Sequence, residues 1–233
     1  LKANGYTTAA FGKRHLYGGC DRGWDRHASH MHEESPDDNY VNWIEEQGLE
    51  EVFARDWATE WGRGPEGSRT HDERRPTTIF TAQASELPED ATMEAWTARR
   101  TIDFLRERAA ADAPFFCFSS FYRPHQPYTA LPRYLAALQV DRWGGGAKRG
   151  EGVVMPASLR QSVEELPPLL QDWRNGSNSV WRMDLAQEDE ALYRFYMASY
   201  YALVAEIDAH VGGILRVLEE TGQADNTIVI YTS

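Results

Sequence analysis

Three short β-prone runs, Tyr6–Phe11, Phe115–Ser120 and Asn226–Tyr231, lie far apart in the chain with helical segments between them. That alternation constrains the fold more than any other feature. Strands separated by helices pair in parallel through crossovers, so the pattern predicts an α/β fold with a mostly parallel sheet flanked by helices. The clearest helix is Thr92–Ala110, where Met93, Trp96, Thr97, Thr101, Phe104 and Leu105 fall on one face. A longer one runs from about Glu188 to Glu220, with Leu192, Tyr196, Ser199, Leu203, Ile207, Val211, Ile214 and Leu218 as its stripe and Gly222 as its cap. A third helix begins at Ser35-Pro36, read as an N-cap and first-turn proline, and carries Tyr40, Val41 and Ile44 on its apolar face up to Gly48.

The other segments carry no period. Leu1–Asn4 reads as the last turn of a helix closed by Gly5, so the chain is expected to be an internal piece of a longer protein. Gly18–Met31 reads as loop, and Glu50–Ser85 as a long excursion with little regular structure. Tyr122–Tyr128, YRPHQPY, is a proline-bracketed loop, and Gly144–Gly152 is a flexible connector.

With 233 residues, 42% of them hydrophobic, the chain can bury a core as one domain. Its formal charge of -12 argues against nucleic-acid and anionic-membrane surfaces, and no apolar run is long enough to span a bilayer. An anionic substrate must therefore be met by local cations. In open α/β sheets a ligand lies beyond the carboxyl ends of the strands. Here the first run leads into Lys13 and His15, the second into Arg123 and His125, and the third into Thr232-Ser233. A lysine offers a fixed charge for an oxyanion and two imidazoles can carry protons, a set suited to hydrolysing an anionic ester with a poor leaving group. On spacing alone, a decorated loop and a hydrogen-bonded turn histidine account for the same residues.

Other polar residues invite plainer readings. Cys20 and Cys117 form no CxxC and read as small packed residues. His27, His30, His32 and Glu33 lack the i, i+4 spacing of a helical zinc site and read as a solvated loop, or as the rim of a substrate entrance. Asp208, beside the stripe of the last helix, reads as a structural hydrogen-bonding residue. Arg123 has two readings, an anion clamp or a salt bridge. Trp57, Trp61 and Arg63 suit either stacking on a sugar ring or local packing.

GYTTAAFGKRHL, from Gly5 to Leu16, resembles the sulfatase segment G-Y-x-T-x-x-x-G-K-W-H-x-G, with Arg14 where Trp is common. FFCFSSFYRPHQPY, from Phe115 to Tyr128, is similar to the family segment in which a strand ends in S-F-x-x-P-H-x-P. Tyr200–Ser233 resembles the helix and strand that lead to a metal-binding S-D-H-G or S-D-N-G turn, and Gly23-Trp24-Asp25 resembles the family's Gly-Phe-Asp. The resemblance implies an alkaline-phosphatase-like fold and a sulfate ester, small-molecule or carbohydrate, as substrate. It implies that Lys13 contacts sulfate oxygens, that His15 assists a formylglycine nucleophile, and that His125 helps the leaving group, with a divalent metal, calcium in the family pattern, as cofactor.

The departures shape the expectation. The C/S-x-P/A-x-R motif that becomes formylglycine is missing, and Cys20, followed by Asp21-Arg22, cannot replace it. The expectation is thus a single partial catalytic domain over 1–233, incomplete, without its N-terminal nucleophile region, its C-terminal metal-binding turn or metal ligands of its own, and inactive alone. A phosphonate or phosphate diester hydrolase of the same superfamily, and a catalytically dead relative that binds sulfated glycans, are the alternatives.

Overall fold

The computed structural model describes residues 1–15, 23–61, 82–138, 153, 154, 156, 157, 161–174 and 190–233. These residues fall into two compact units: Leu1–Glu50, Pro88–Arg123 and Glu206–Ser233 form one, and Glu51–Leu87 with Pro124–Ala205 form the other. No helix among them is long and apolar enough to cross a membrane.

The first unit is built on a three-stranded parallel sheet of β1 (Thr7–Gly12), β2 (Arg26–Ala28) and β4 (Phe115–Ser120), with β1 in the centre. A short 3-10 turn, Lys2–Asn4, leads into β1 and closes on Gly5 at φ 81, whose N–H donates to the Lys2 carbonyl. Gly5 thus has the capping role its position suggested. β1 is buried from Thr8 to Gly12 because β2 and β4 flank it and α3 (Met93–Ala109) packs on it. Phe11 meets Phe104 with ring centroids 5.9 Å apart, and Phe104 meets Phe115 at 5.9 Å, which joins helix and sheet. Thr92 caps α3, its Oγ1 accepting the Ala95 N–H.

Several expectations need correction here. Arg26–Ala28 lies in a segment read as loop, yet it is a strand, because β1 presents an open backbone edge and pairing outweighs weak strand propensity. The first helix, α1 (Tyr40–Glu46), starts later than Ser35-Pro36; its cap is Asn39, whose Oδ1 accepts the Asn42 N–H at 2.8 Å. One face of β4 is open, Phe116 and Phe118 being 39% and 43% exposed, although its short apolar run, Phe115–Ser120, suits a strand buried on both faces. The run Asn226–Tyr231 forms no strand: a 3-10 turn covers Ala224–Asn226, and Ile228 and Ile230 are 90% and 79% exposed. A β-prone sequence becomes a strand only where another edge accepts its hydrogen bonds, and no described strand does so.

In the second unit, β3 (Ala82–Ala84) pairs in parallel with β5 (Tyr128–Ala130), and α2 (Glu50–Trp61), α4 (Pro132–Ala137) and α5 (Pro168–Arg174) are the shorter helices. The excursion expected to hold little regular structure contains α2 and β3, while 62–81 and the Gly144–Gly152 connector lie outside the described residues. Ala130, Leu135, Phe195, Ala198, Ala202 and Leu203 belong to one buried cluster. The last three of these, with Phe195, come from α6 (Glu190–Glu220), where Phe195, Ala198 and Ala202 recur at three- and four-residue steps beside the expected stripe, of which Leu203 is a member. Buried Ser85 donates to Asp56 and Thr129 donates to the Asp56 carbonyl, tying α2 to the two strands.

Candidate active site

Because β1 and β4 are parallel and in register, with Gly12 opposite Ser120, both deliver their following residues to the same end of the sheet. Gly12 takes φ +93, and a Cβ there would lie 2.0 Å from the Ser120 carbonyl oxygen, so only glycine permits this approach. The Lys13 N–H then donates to that oxygen at 3.0 Å. Lys13 Nζ sits 4.3 Å from the centroid of the Tyr122 ring.

His15 is exposed and holds φ 52, a left-handed conformation unusual for a residue with a side chain. Arg14 helps to define this turn. Its N–H donates to Glu34 Oε2 at 3.3 Å and its Nη2 to the Glu34 carbonyl at 3.0 Å. Ser29 also donates to the buried Glu34 carboxylate. The arginine that departs from the family tryptophan is thereby built into the fold.

Arg123 is buried, and its N–H donates to Glu94 Oε1 at 3.1 Å. Glu94 lies on α3 beside Glu206 of α6, which accepts from Thr92 Oγ1 at 2.8 Å and stands 3.9 Å from His210 Nε2. Burial, and then the neighbouring Glu206 charge, raise the Glu94 carboxyl to about 7, while Arg123 pulls the other way. Neither carboxylate stands out in the sequence. The signal is nonetheless there, because Glu94 shares a helical face with Thr97 and Thr101, on the side that packs. Asp208, read as the structural acid of α6, is exposed; Glu206 holds that role.

His30 also departs from expectation. It is not part of a solvated loop but is 3% exposed, with Nε2 bonded to Thr97 Oγ1 at 2.9 Å and Nδ1 without a hydrogen-bond partner. Burial first, then the Lys13 and Arg123 charges, lower its pKa to about 3, so it is neutral. His27 sits on β2 with Nδ1 3.1 Å from Ser35 Oγ. Asp25 accepts from Thr8 N and Thr8 Oγ1 and pairs with Lys2 at 2.8 Å, which makes Gly23-Trp24-Asp25 a brace for β1.

His125 belongs to the second unit, where its Nδ1 lies 2.8 Å from the Gln126 carbonyl oxygen. Trp57 packs against Phe53 at 5.6 Å; Cys20, Arg63 and the Trp61 side chain lie outside the described residues. Desolvation pushes the Cys117 thiol up to about 12, which makes it a packed residue rather than a nucleophile. Among the described residues no group of three or more His, Cys, Asp or Glu could hold a metal ion, so the family's metal does not fit this donor set.

The family model for sulfatases matches residues 1–233. The chain belongs to the sulfatase family. Among curated relatives of this sulfatase chain, it is 27% identical over 207 residues to the multifunctional alkaline phosphatase superfamily protein PehA of Trinickia caryophylli, covering 84% of the chain and 35% of that protein. It is 31% identical over 145 residues to an arylsulfatase of Clostridium perfringens, covering 59% of the chain and 25% of that enzyme. The chain thus spans between 25% and 35% of the length of these two relatives. In fold it is similar to the phosphonate monoester hydrolase of Agrobacterium radiobacter, with TM-score 0.59, 21% identity, and coverage of 97% of this chain and 44% of the other. That likeness identifies the sulfatase chain's fold as the alkaline-phosphatase-like α/β type, incomplete relative to its neighbours.

Proposed function

We propose that the whole protein is a sulfuric ester hydrolase acting on a small-molecule or carbohydrate sulfate ester, and that this chain supplies residues for sulfate binding and leaving-group departure. The observation that carries the reading is the position of Lys13, a cation at the carboxyl end of the central strand with its backbone tied to Ser120. In this reading Lys13 contacts the non-bridging sulfate oxygens and offsets the charge that grows in the transition state. His15 assists the nucleophile. As the bond between sulfur and the bridging oxygen breaks, His125 gives that oxygen a proton, so that it leaves as an alcohol. Arg123 is a second candidate contact for the anion. The family pattern adds formylglycine, as the nucleophile His15 would assist, and calcium; this chain offers neither the oxidisable motif nor, among its described residues, a fitting donor set for the metal.

The leaving group supplies the test. In the whole protein, His125→Ala should lower turnover of alkyl or carbohydrate sulfates by roughly 100-fold or more, and of activated aryl sulfates far less. Equal losses on both would overturn the role of His125. A second reading, a phosphonate or phosphate diester hydrolase, draws support from the likeness to a multifunctional superfamily member. The Lys13–His15 pair leans towards sulfate. Matched sulfate and phosphonate esters of one alcohol separate the two readings by their kcat/KM values, and glycan binding without turnover of either would indicate a catalytically dead relative.

A further inference from the structure

We infer that Tyr122 is a positioning residue for Lys13, its ring face holding the lysine ammonium at the carboxyl end of the sheet while His30 braces the ring edge-on. The inference rests on the reading above, in which Lys13 meets the substrate anion. The ammonium lies 4.3 Å from the Tyr122 centroid, within the range where a ring face attracts a cation. The fold brings the two residues close, since Lys13 follows β1, Tyr122 follows β4, the strands end in register at Gly12 and Ser120, and the Lys13 N–H donates to the Ser120 carbonyl. His30 meets Tyr122 in a T-shaped arrangement at 5.7 Å and Trp96 at 6.1 Å, and Thr97 anchors it through Nε2. Its buried Nδ1 has no hydrogen-bond partner.

An unsatisfied buried nitrogen is destabilising, and an apolar side chain of similar shape would avoid that cost. What an imidazole adds here is a flat ring pinned to α3 by one hydrogen bond and kept uncharged by burial, to which the Lys13 and Arg123 charges add. Lysine itself is a flexible stem with a compact charge, so a lysine that must meet an anion in one geometry gains from a surface that restricts it beforehand. The ring of Tyr122 supplies that surface, and the tyrosine hydroxyl is not required for it.

The contact can be read without any catalytic assay. The chain has three lysines, Lys2, Lys13 and Lys148, so reductive ¹³C-methylation, which preserves the charge, labels few sites. One dimethyl-lysine resonance should be shifted upfield by a ring current. It should vanish in Lys13→Arg, persist in Tyr122→Phe and return to the free-lysine position in Tyr122→Leu. An unshifted Lys13 resonance in the unsubstituted protein overturns the inference, and that measurement stands even should the leucine variant fail to fold. In the whole protein, Tyr122→Leu should lower kcat on a sulfate ester about ten-fold, more than it raises KM, with Tyr122→Phe within about two-fold. Equal kcat for the two variants also overturns it. If Lys13→Ala leaves sulfate-ester turnover unchanged, the sulfate reading falls, and the resonance still decides whether Tyr122 holds the lysine.

Discussion

Gly12 shows how little freedom the end of β1 has. With φ +93 and a carbonyl oxygen where a Cβ would go, Gly12→Ala must either move β4 or strain the backbone that places Lys13. The expected cost is about 3 kcal/mol in urea unfolding, and a loss below about 0.5 kcal/mol would contradict the close approach. Glu94 and His30 make stability depend on pH in opposite senses. Glu94, with Glu206 and Arg123 facing it, has a folded pKa raised from 4.5 to about 7. Between those values the unfolded chain loses its proton first, so this group lowers stability as pH rises. His30, facing Lys13 and Arg123, has a folded pKa lowered from 6.5 to about 3. As pH falls below 6.5 the unfolded chain takes up a proton that the folded one refuses, so this group lowers stability on acidification. Thermal midpoints measured from about pH 4 to 8 should show that Glu94→Gln removes the loss towards neutrality and that His30→Asn flattens the acid limb. Curves parallel to the unsubstituted protein would disprove both assignments.

Among the elements, the ends of strands present the candidate site residues and their edges decide pairing. β1 and β4 align Lys13 with Tyr122 and Arg123 because parallel strands in register end together. Ile228–Tyr231, by contrast, has strand-like composition and exposed side chains. Such a segment contributes little to the stability of the chain and offers apolar surface for association. A double substitution, Ile228→Ser with Ile230→Ser, should therefore change unfolding free energy by less than about 0.5 kcal/mol while reducing self-association measured by light scattering. A loss of several kcal/mol would mean that the segment packs against the fold. α1 illustrates a smaller point of the same kind, since Ser35-Pro36 has the composition of a helix start but Asn39, with the N–H of Asn42 in reach, is the residue that caps it.

For the whole molecule, the formal charge of -12 means that a cation such as Lys13 stands against an opposing field. The chain spans between 25% and 35% of two curated relatives, and its own residues supply neither the nucleophile motif nor a metal donor set among those described. The purified 233-residue chain should accordingly show no turnover of an aryl sulfate and no tight calcium binding by calorimetry; measurable activity would overturn that expectation. Local signals in the sequence determine much of this protein. The helices near Thr92 and Glu190, the cap at Gly5 and two of the three strand runs are written in period and turn chemistry, which act over a few residues. What depends on partners distant in the chain is decided in three dimensions: β2 as a strand, the last apolar run left unpaired by the described strands, Glu94 and Glu206 buried together, and a tyrosine ring under Lys13. Pairing and burial are properties of neighbours, and neighbours are decided only when the chain has folded.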